Sequence, residues 1–583
     1  MKVIHLVACL MLCVVTLFAH DVTPDATVMI PMRDGKLLPT DIYLPSPDAK
    51  GLPCILLRSP AGRKSTHWLG FAKMAKAGFV IAIQDTRSAV DKEGKTFPFM
   101  SDGWGKAQDG FDTVEWLAKS PYTDGKIGTW GSSALGITQQ LMAPANPPHL
   151  KCQYIIFAAS SLYHHAIFPG GQLLKNQTEN WLGLYAPDPG VFSYISQRPF
   201  YNDFWKQLDT VHIAHRIQVP AIHVGGWFDT FLQGTIDAFS SRQYYGGEGA
   251  KGTQKLVIGP WTHYWPVSTK LGDFDVPKEG HKPPFDITPK HWFDHYLKGE
   301  KNGAEHLPNV IYYVMGTFDG SESSGNVWRT SKVWPVPSVK TALYLTSEGG
   351  LQEEIPFNGV NFYNYNPSDP APTTGGHNLF LEAGPKDQQK IELRDDVVVF
   401  TSEPFDDDVE MTGTITAKIF FKTDQLDTDL VLKISDVYPD GRSILITDGI
   451  YRLGVMAHQD PKLPIEPVPV SVSADAKIHQ HEFMKMDLPK PSEIYVDLLP
   501  TSMVFAKGHS IRLSITSSNY PRFEKNMNVG LFGTHSGLSN LAKNTIYMGH
   551  DYPSEILLPV VRDGSTWLVE EPSKENTIPK EKS

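Results

Sequence analysis

Three short segments of this chain end on residues that could cooperate in nucleophilic catalysis. Ser133 lies in Gly131-Ser132-Ser133-Ala134-Leu135-Gly136, Asp229 closes Gly225-Gly226-Trp227-Phe228-Asp229, and His263 closes Gly259-Pro260-Trp261-Thr262-His263. A serine hydroxyl is a poor nucleophile until an imidazole takes its proton and a carboxylate holds that imidazole in one tautomer. The set therefore points to acyl transfer, with Ser133 as nucleophile, His263 as general base and Asp229 as the acid that orients it. The backbone N–H of Ala134 is the expected donor to the oxyanion that attack by Ser133 creates.

Each candidate directly follows an apolar run that reads as a buried strand. Lys126–Trp130 precedes the serine, Ala221–Val224 the aspartate and Lys255–Ile258 the histidine. After Ser133 comes a helical stretch from Ala134 to Met142, so the serine occupies a strand-turn-helix junction where only small neighbours fit. The register selects Ser133 over Ser132, because Ser132 would put Trp130 two residues before the nucleophile. The second glycine comes three residues after Ser133 and not two, a departure from G-x-S-x-G. Serine, then acid, then histidine, each beyond its own buried strand, is the chain order of the α/β-hydrolase triad.

Other elements support that frame. Val28 to Leu44 reads as two strands joined at Asp34-Gly35, a hairpin dipeptide. Further continuous apolar runs, Cys54–Leu57, Phe79–Ile83 and Gln153–Phe157, suit strands covered on both faces of a parallel sheet. Ala107–Lys119 carries a helical apolar stripe between two of them. Residues 160–219 break the rhythm: aromatics crowd in (Trp181, Tyr185, Phe192, Tyr194, Phe200, Tyr201, Phe204, Trp205) without a buried strand, as in an inserted helical cap. From about Asn309 short alternating strands take over, such as Ile415, Ala417, Ile419 and Phe421, and the turn Pro439-Asp440-Gly441. The expected organisation is a signal peptide over 1–19, an α/β-hydrolase domain over 20–159 and 220–318 with a helical cap over 160–219, an all-β jelly roll over 319–572, and a solvated tail over 573–583.

Composition narrows the function. The apolar run from Val3 to Phe18 behind Lys2 is too short to span a bilayer and reads as a cleaved secretory signal, so a secreted or periplasmic protein without stable membrane insertion is expected. Cys9 and Cys13 leave with it, and Cys54 and Cys152 sit in apolar strand-like runs as buried free thiols. A net charge of −11 argues against a nucleic-acid partner. No H-E-x-x-H, Walker loop or G-x-G-x-x-G after a strand is present, so no metal and no cofactor is expected. His164-His165 reads as two cap histidines pointing apart. A homo-oligomer is left open.

Longer stretches carry a resemblance. They are Gln84-Asp85-Thr86-Arg87, the run Asp109–Leu117, Gly131–Gly136, Gly226–Asp229, Gly259–His263, Asp427-Thr428-Asp429, the run Val437–Arg442 and the run Ser517–Arg522. Together they resemble the cocaine esterase and α-amino-acid ester hydrolase group, the CocE/NonD hydrolases, relatives of the Xaa-Pro dipeptidyl-peptidases. The resemblance implies the three-part architecture above, and position by position it makes Ser133 nucleophile, Asp229 acid and His263 base. It also implies a Pro-Tyr pair after the third strand, whose hydroxyl donates to the oxyanion. Here Arg58-Ser59-Pro60-Ala61-Gly62-Arg63 puts Ala61 where that tyrosine would stand, and the backbone N–H of Ala61 or Gly62 is the substitute considered. The acidic cluster that binds an ammonium group in the amino-acid ester hydrolases has no counterpart in Thr230-Phe231-Leu232-Gln233 or in residues 158–165. A cationic acyl group is thus disfavoured, and Trp227 and Trp261 are the candidates for substrate contact. The expected activity is hydrolysis of a small-molecule ester; an amide on the same triad, or a binding protein using the jelly roll, are the alternatives.

Overall fold

A computed structural model describes residues 23–65, 70–456, 490–530 and 537–562. The expected signal peptide and the tail over 573–583 lie outside these residues. The hairpin is formed as expected: β1 (Ala26–Pro31) pairs antiparallel with β2 (Leu37–Tyr43), and Gly35 takes the left-handed turn position at φ 84°.

The hairpin opens a ten-stranded sheet in the order β1-β2-β4-β3-β5-β6-β7-β8-β11-β12. Each apolar run became a strand: β3 (Leu52–Ser59), β4 (Val80–Asp85), β5 (Thr123–Ser132), β6 (Leu150–Ile156), β7 (Ala221–Phe228) and β8 (Lys255–Thr262). These six and β11 (Val310–Val314) run parallel, while β1, β2 and β12 (Val327–Ser331) are antiparallel at the two edges. All eight residues of β7 and of β8 are buried, which is why their sequences are continuously apolar and not alternating. The sheet runs past residue 318, where this part of the chain was expected to end, because β12 pairs with β11 and completes its edge. A small hairpin, β9 (Lys270–Leu271) and β10 (Phe274–Asp275), follows β8.

Helices Asp109–Ala118, Ala134–Met142, Leu232–Tyr245 and Pro289–Lys298 belong to the same domain. The last is stopped at both ends by local chemistry. The Thr288 hydroxyl accepts the His291 N–H at 3.3 Å, Pro289 fills the first helical position, and Gly299 takes the left-handed conformation at φ 76°. Two resemblance motifs prove to be scaffolding. Arg87 makes a two-pronged ion pair with the buried Asp109, both bonds at 2.7 Å, and a third bond to Asp34 at 2.6 Å, tying the hairpin to the helix.

Between β6 and β7 the chain forms the helical cap: a π turn over Tyr163–Ile167, then helices Lys175–Tyr185, Pro189–Ser196 and Asp203–Lys206. Its aromatics mostly fill its own core, Trp205 packing edge-on against Tyr163, Phe168 and Phe204. From Val339–Leu345 to Glu555–Val560, thirteen described strands build the all-β domain. Strand Thr416–Thr423 alternates buried and half-buried residues as its sequence predicts, and Asp429–Val437 is buried nearly throughout. The cap and the β-domain are joined by a buried polar contact, Gln172 Nε2 donating to Asp429 Oδ2 at 2.6 Å, beside the Arg452–Asp427 ion pair at 3.0 Å.

Candidate active site

Ser133 sits between the end of β5 and the first turn of helix Ala134–Met142 with φ 57° and ψ −124°. A residue with a Cβ is strained there by about 1–3 kcal/mol, and the surrounding contacts must hold it. They do so from both sides. Its N–H donates to Ile156 O at 2.9 Å, and its carbonyl accepts from Gly136 at 2.8 Å and Ile137 at 2.9 Å. The flanking glycines are required by close approach: a Cβ on Gly131 would stand 2.4 Å from Leu135 Cβ, and one on Gly136 would stand 2.6 Å from Ala158 Cβ. The helix packs so tightly on the chain leaving β6 that the second glycine belongs at 136, which explains the irregular spacing. Ala134 is the first helical residue, so its N–H has no partner within the helix.

Asp229 and His263 each stand one residue beyond their strands, and β7 and β8 are adjacent. Open α/β sheets collect their functional groups at this carboxyl edge. Asp229 Oδ1 bonds His263 Nδ1 at 2.6 Å; the carboxylate is fully buried and the imidazole retains 8% exposure. Among the described residues Asp229 Oδ2 is buried without a hydrogen-bond partner. The imidazole lies between Phe157, at 5.6 Å between ring centroids, and Phe231, at 5.5 Å. Phe157 directly follows Ile156, the residue that takes the Ser133 N–H, so the serine and the histidine border one patch of backbone. Among the described residues no hydrogen bond joins Ser133 Oγ to His263 Nε2.

Ala61 and Gly62 follow β3, the strand beside β5, and so lie at the same edge as Ser133. Gly62 has φ 90°, and the next residue, Arg63, is pinned by Asp41 at 3.0 Å and Asp85 at 2.6 Å. At the base of this loop Arg58 forms a buried ion pair with Asp102, whose carboxyl burial pushes up to about 6.

Comparison with known proteins agrees with this architecture. The model of the X-Pro dipeptidyl-peptidase (S15 family) matches residues 34–189 and 176–265, and that of the X-Pro dipeptidyl-peptidase C-terminal non-catalytic domain matches residues 302–557. Cocaine esterase of Rhodococcus sp. (strain MB1 Bresler) is 29% identical over 92% of this chain and 98% of its own length. Two solved structures share the fold. An α-amino acid ester hydrolase has a TM-score of 0.72 at 22% identity, over 93% of this chain and 98% of its own. A CocE/NonD family hydrolase from Staphylococcus aureus has a TM-score of 0.66 at 21% identity, over 92% and 93%. The chain is a serine hydrolase, a homologue of cocaine esterase that carries the S15 peptidase domain and its C-terminal partner domain.

In this serine hydrolase Trp227 and Trp261 are not placed to touch substrate, contrary to expectation. Both are 1% exposed. The Trp227 indole donates to Tyr313 O at 2.6 Å, and that of Trp261 donates to Gly280 O at 2.9 Å while its ring stacks on Trp265 at 3.9 Å. They point into the core because they lie on strands buried on both faces. The two adjacent cap histidines do diverge. His165 bonds Asp237 at 2.9 Å, His164 packs against Tyr201, and no group of three potential metal ligands occurs among the described residues. Cys54 and Cys152 are buried free thiols, and burial pushes both up.

The sequence reading missed the residues that brace the acid and the base. Thr230 donates to Gln177 of the cap at 2.6 Å, Tyr264 donates to Leu379 O of the β-domain at 2.5 Å, and Phe228 stacks on His377 at 5.6 Å. Thr230 and Tyr264 were visible as neighbours of Asp229 and His263, but their partners are 53 and 115 positions away. No local pattern marks such pairs.

Proposed function

We propose that this chain hydrolyses carboxylic esters through an acyl-enzyme on Ser133. His263 Nε2 takes the Ser133 Oγ proton as the oxygen attacks the ester carbonyl, and the Asp229 carboxylate holds the Nδ1 proton and stabilises the imidazolium. The oxyanion is met by the Ala134 N–H, with the N–H of Ala61 or Gly62 as second donor. His263 returns its proton to the leaving alcohol, then activates a water that releases the acid. The Ser133–His263 hydrogen bond this requires is one that commonly forms only when substrate closes the site.

The observation that carries the reading is the 2.6 Å bond between buried Asp229 and His263 beside the strained turn of Ser133. Apolar rings on both sides of His263 and the absence of acids in Thr230–Gln233 favour an uncharged, apolar acyl group. Labelling with a fluorophosphonate tests it: the native chain should label and Ser133→Ala should not, whereas equal labelling of both defeats the assignment. A second reading, cleavage of amides, is favoured by the match to the S15 peptidase family. Initial rates on matched esters and anilides decide between them, and a faster anilide reaction would reverse the preference. Export to the periplasm or medium is part of the proposal; N-terminal sequencing of the mature protein, with a first residue at or near His20, would support it.

A further inference from the structure

His263 is the first residue beyond the ladder of β8, and Asp229 fixes only its ring. What fixes the chain that carries it is a separate question, because general-base catalysis depends on the aim of Nε2 as well as on its tautomer. The local bonds next to His263 are long, Tyr264 N–H reaching Thr262 Oγ1 at 3.5 Å and Trp265 N–H reaching Thr262 O at 3.3 Å, and only farther on does Ser268 N–H reach Tyr264 O at 3.0 Å. The short bond is the one from the Tyr264 hydroxyl to Leu379 O, across to the β-domain.

The acceptor is well anchored. Asn378 Nδ2 donates to both Gly375 O and Glu382 O at 2.8 Å, and Gly376 and Gly384 exchange backbone bonds at 2.8 and 2.9 Å. His377, 1% exposed, stacks on Phe228 immediately before Asp229 and faces Asp448, which in turn is paired with Arg522. One braced loop of the β-domain, residues 375–384, thus touches the neighbours of both the acid and the base.

We propose that Tyr264 is a positioning residue and that this β-domain loop, through the Tyr264 hydroxyl, sets the aim of His263. The β-domain then takes part in turnover through this contact. The kinetic side of this inference rests on the ester-hydrolase reading; the spectroscopic side does not.

The test is Tyr264→Phe in the full chain, which keeps the ring and removes the hydroxyl. Its control is Tyr244→Phe, since the Tyr244 hydroxyl makes a bond of the same kind, to Trp334 O at 2.9 Å, away from the acid and base. Tyr264→Phe should lower kcat by about 10- to 100-fold with KM nearly unchanged, the scale of a small misplacement of a catalytic group. In protein labelled with 15N-histidine, the His263 Nδ1 proton resonance should broaden through faster exchange in Tyr264→Phe and stay sharp in Tyr244→Phe. An unchanged resonance in Tyr264→Phe, or equal losses in the two variants, overturns the proposal. A wild-type chain that cleaves no ester, with the resonance still broadened in Tyr264→Phe alone, defeats the ester reading and leaves the positioning role standing.

Discussion

Two His–Asp pairs in the hydrolase domain and its cap are joined by hydrogen bonds shorter than 3 Å, and they differ in what they leave unbonded. In the pair His165–Asp237, Nε2 bonds the carboxylate at 2.9 Å while Nδ1 accepts the Ser161 N–H at 3.1 Å, and the second Asp237 oxygen takes Gln233 Nε2 at 2.8 Å. A backbone N–H can only donate, so this imidazole is held as its Nε2–H tautomer with no nitrogen to spare. In the pair His263–Asp229 only one contact is made, and neither His263 Nε2 nor Asp229 Oδ2 has a hydrogen-bond partner among the described residues. Saturation suits a structural pair, and a nitrogen left in reserve is what the general base of the proposed reaction needs.

The largest expected effect separates the two histidines outright. His263→Ala should lower kcat by about 10⁶-fold, as loss of a catalytic base does, and should also cost about 3 kcal/mol of stability by stranding the buried Asp229. His165→Ala should cost a similar stability by stranding Asp237 while leaving kcat of the folded protein near wild type. Ester initial rates and urea titrations on both variants check this. Loss of turnover in a stable His165→Ala protein would erase the contrast.

The carboxylates should separate next. Asp229→Asn is expected to lower kcat by about 10⁴-fold by supporting the wrong imidazole tautomer, with stability unchanged or higher, since a buried charge with an unpartnered oxygen is removed. Asp237→Asn must set an amide N–H against a donor, Gln233 Nε2 or the His165 Nε2–H, and should cost about 1–3 kcal/mol of stability. Kinetics and denaturation on the same preparations give both numbers.

A smaller effect concerns His164, one position before the saturated histidine. Its Nε2 is buried without a hydrogen-bond partner among the described residues, and burial pulls its pKa from 6.5 down to about 4. Between those values the unfolded chain binds a proton that the folded chain refuses. Stability therefore falls as pH drops from 6.5 to about 4, and the loss is complete below that. His164→Gln should give a shallower decline of urea midpoint over this window than wild type. Parallel slopes would show that the ring titrates as freely as in the unfolded chain.

These contrasts also show what the sequence could and could not disclose. The buried strands β3 to β8 were legible because a strand covered on both faces must be continuously apolar, and that pattern needs no partner to be read. The placement of Ser133, Asp229 and His263 at the carboxyl edge of the sheet was legible because each stands just past such a strand. The irregular second glycine became intelligible only when Gly136 was seen against Ala158. The boundary near 318 was drawn too early because β11 and β12 have short, β-rich sequences like those of the domain that follows. His165 and His263 could not be told apart in function by residue type, since what distinguishes them is a bond to the Ser161 N–H that only tertiary geometry creates. The brace from Tyr264 to Leu379 was hidden for the same reason.

The smallest effect turns on the residues that residue type misplaced most clearly. A tryptophan two positions before Asp229 or His263 suggests a pocket wall, yet, whereas Asp229 and His263 stand just past the strand ends, Trp227 and Trp261 still lie inside strands buried on both faces. There each indole N–H meets a backbone carbonyl, Tyr313 O and Gly280 O. Replacing either by Phe keeps an aromatic ring but strands that carbonyl and shrinks the packed volume, at a cost of about 1–3 kcal/mol. A core residue of this kind should change the urea midpoint and leave KM for every ester tested as it was. A rise in KM for bulky acyl groups in Trp227→Phe or Trp261→Phe, with the midpoint unmoved, would mean that these rings swing out to meet substrate and that the division between core and site drawn at this edge of the sheet is misplaced.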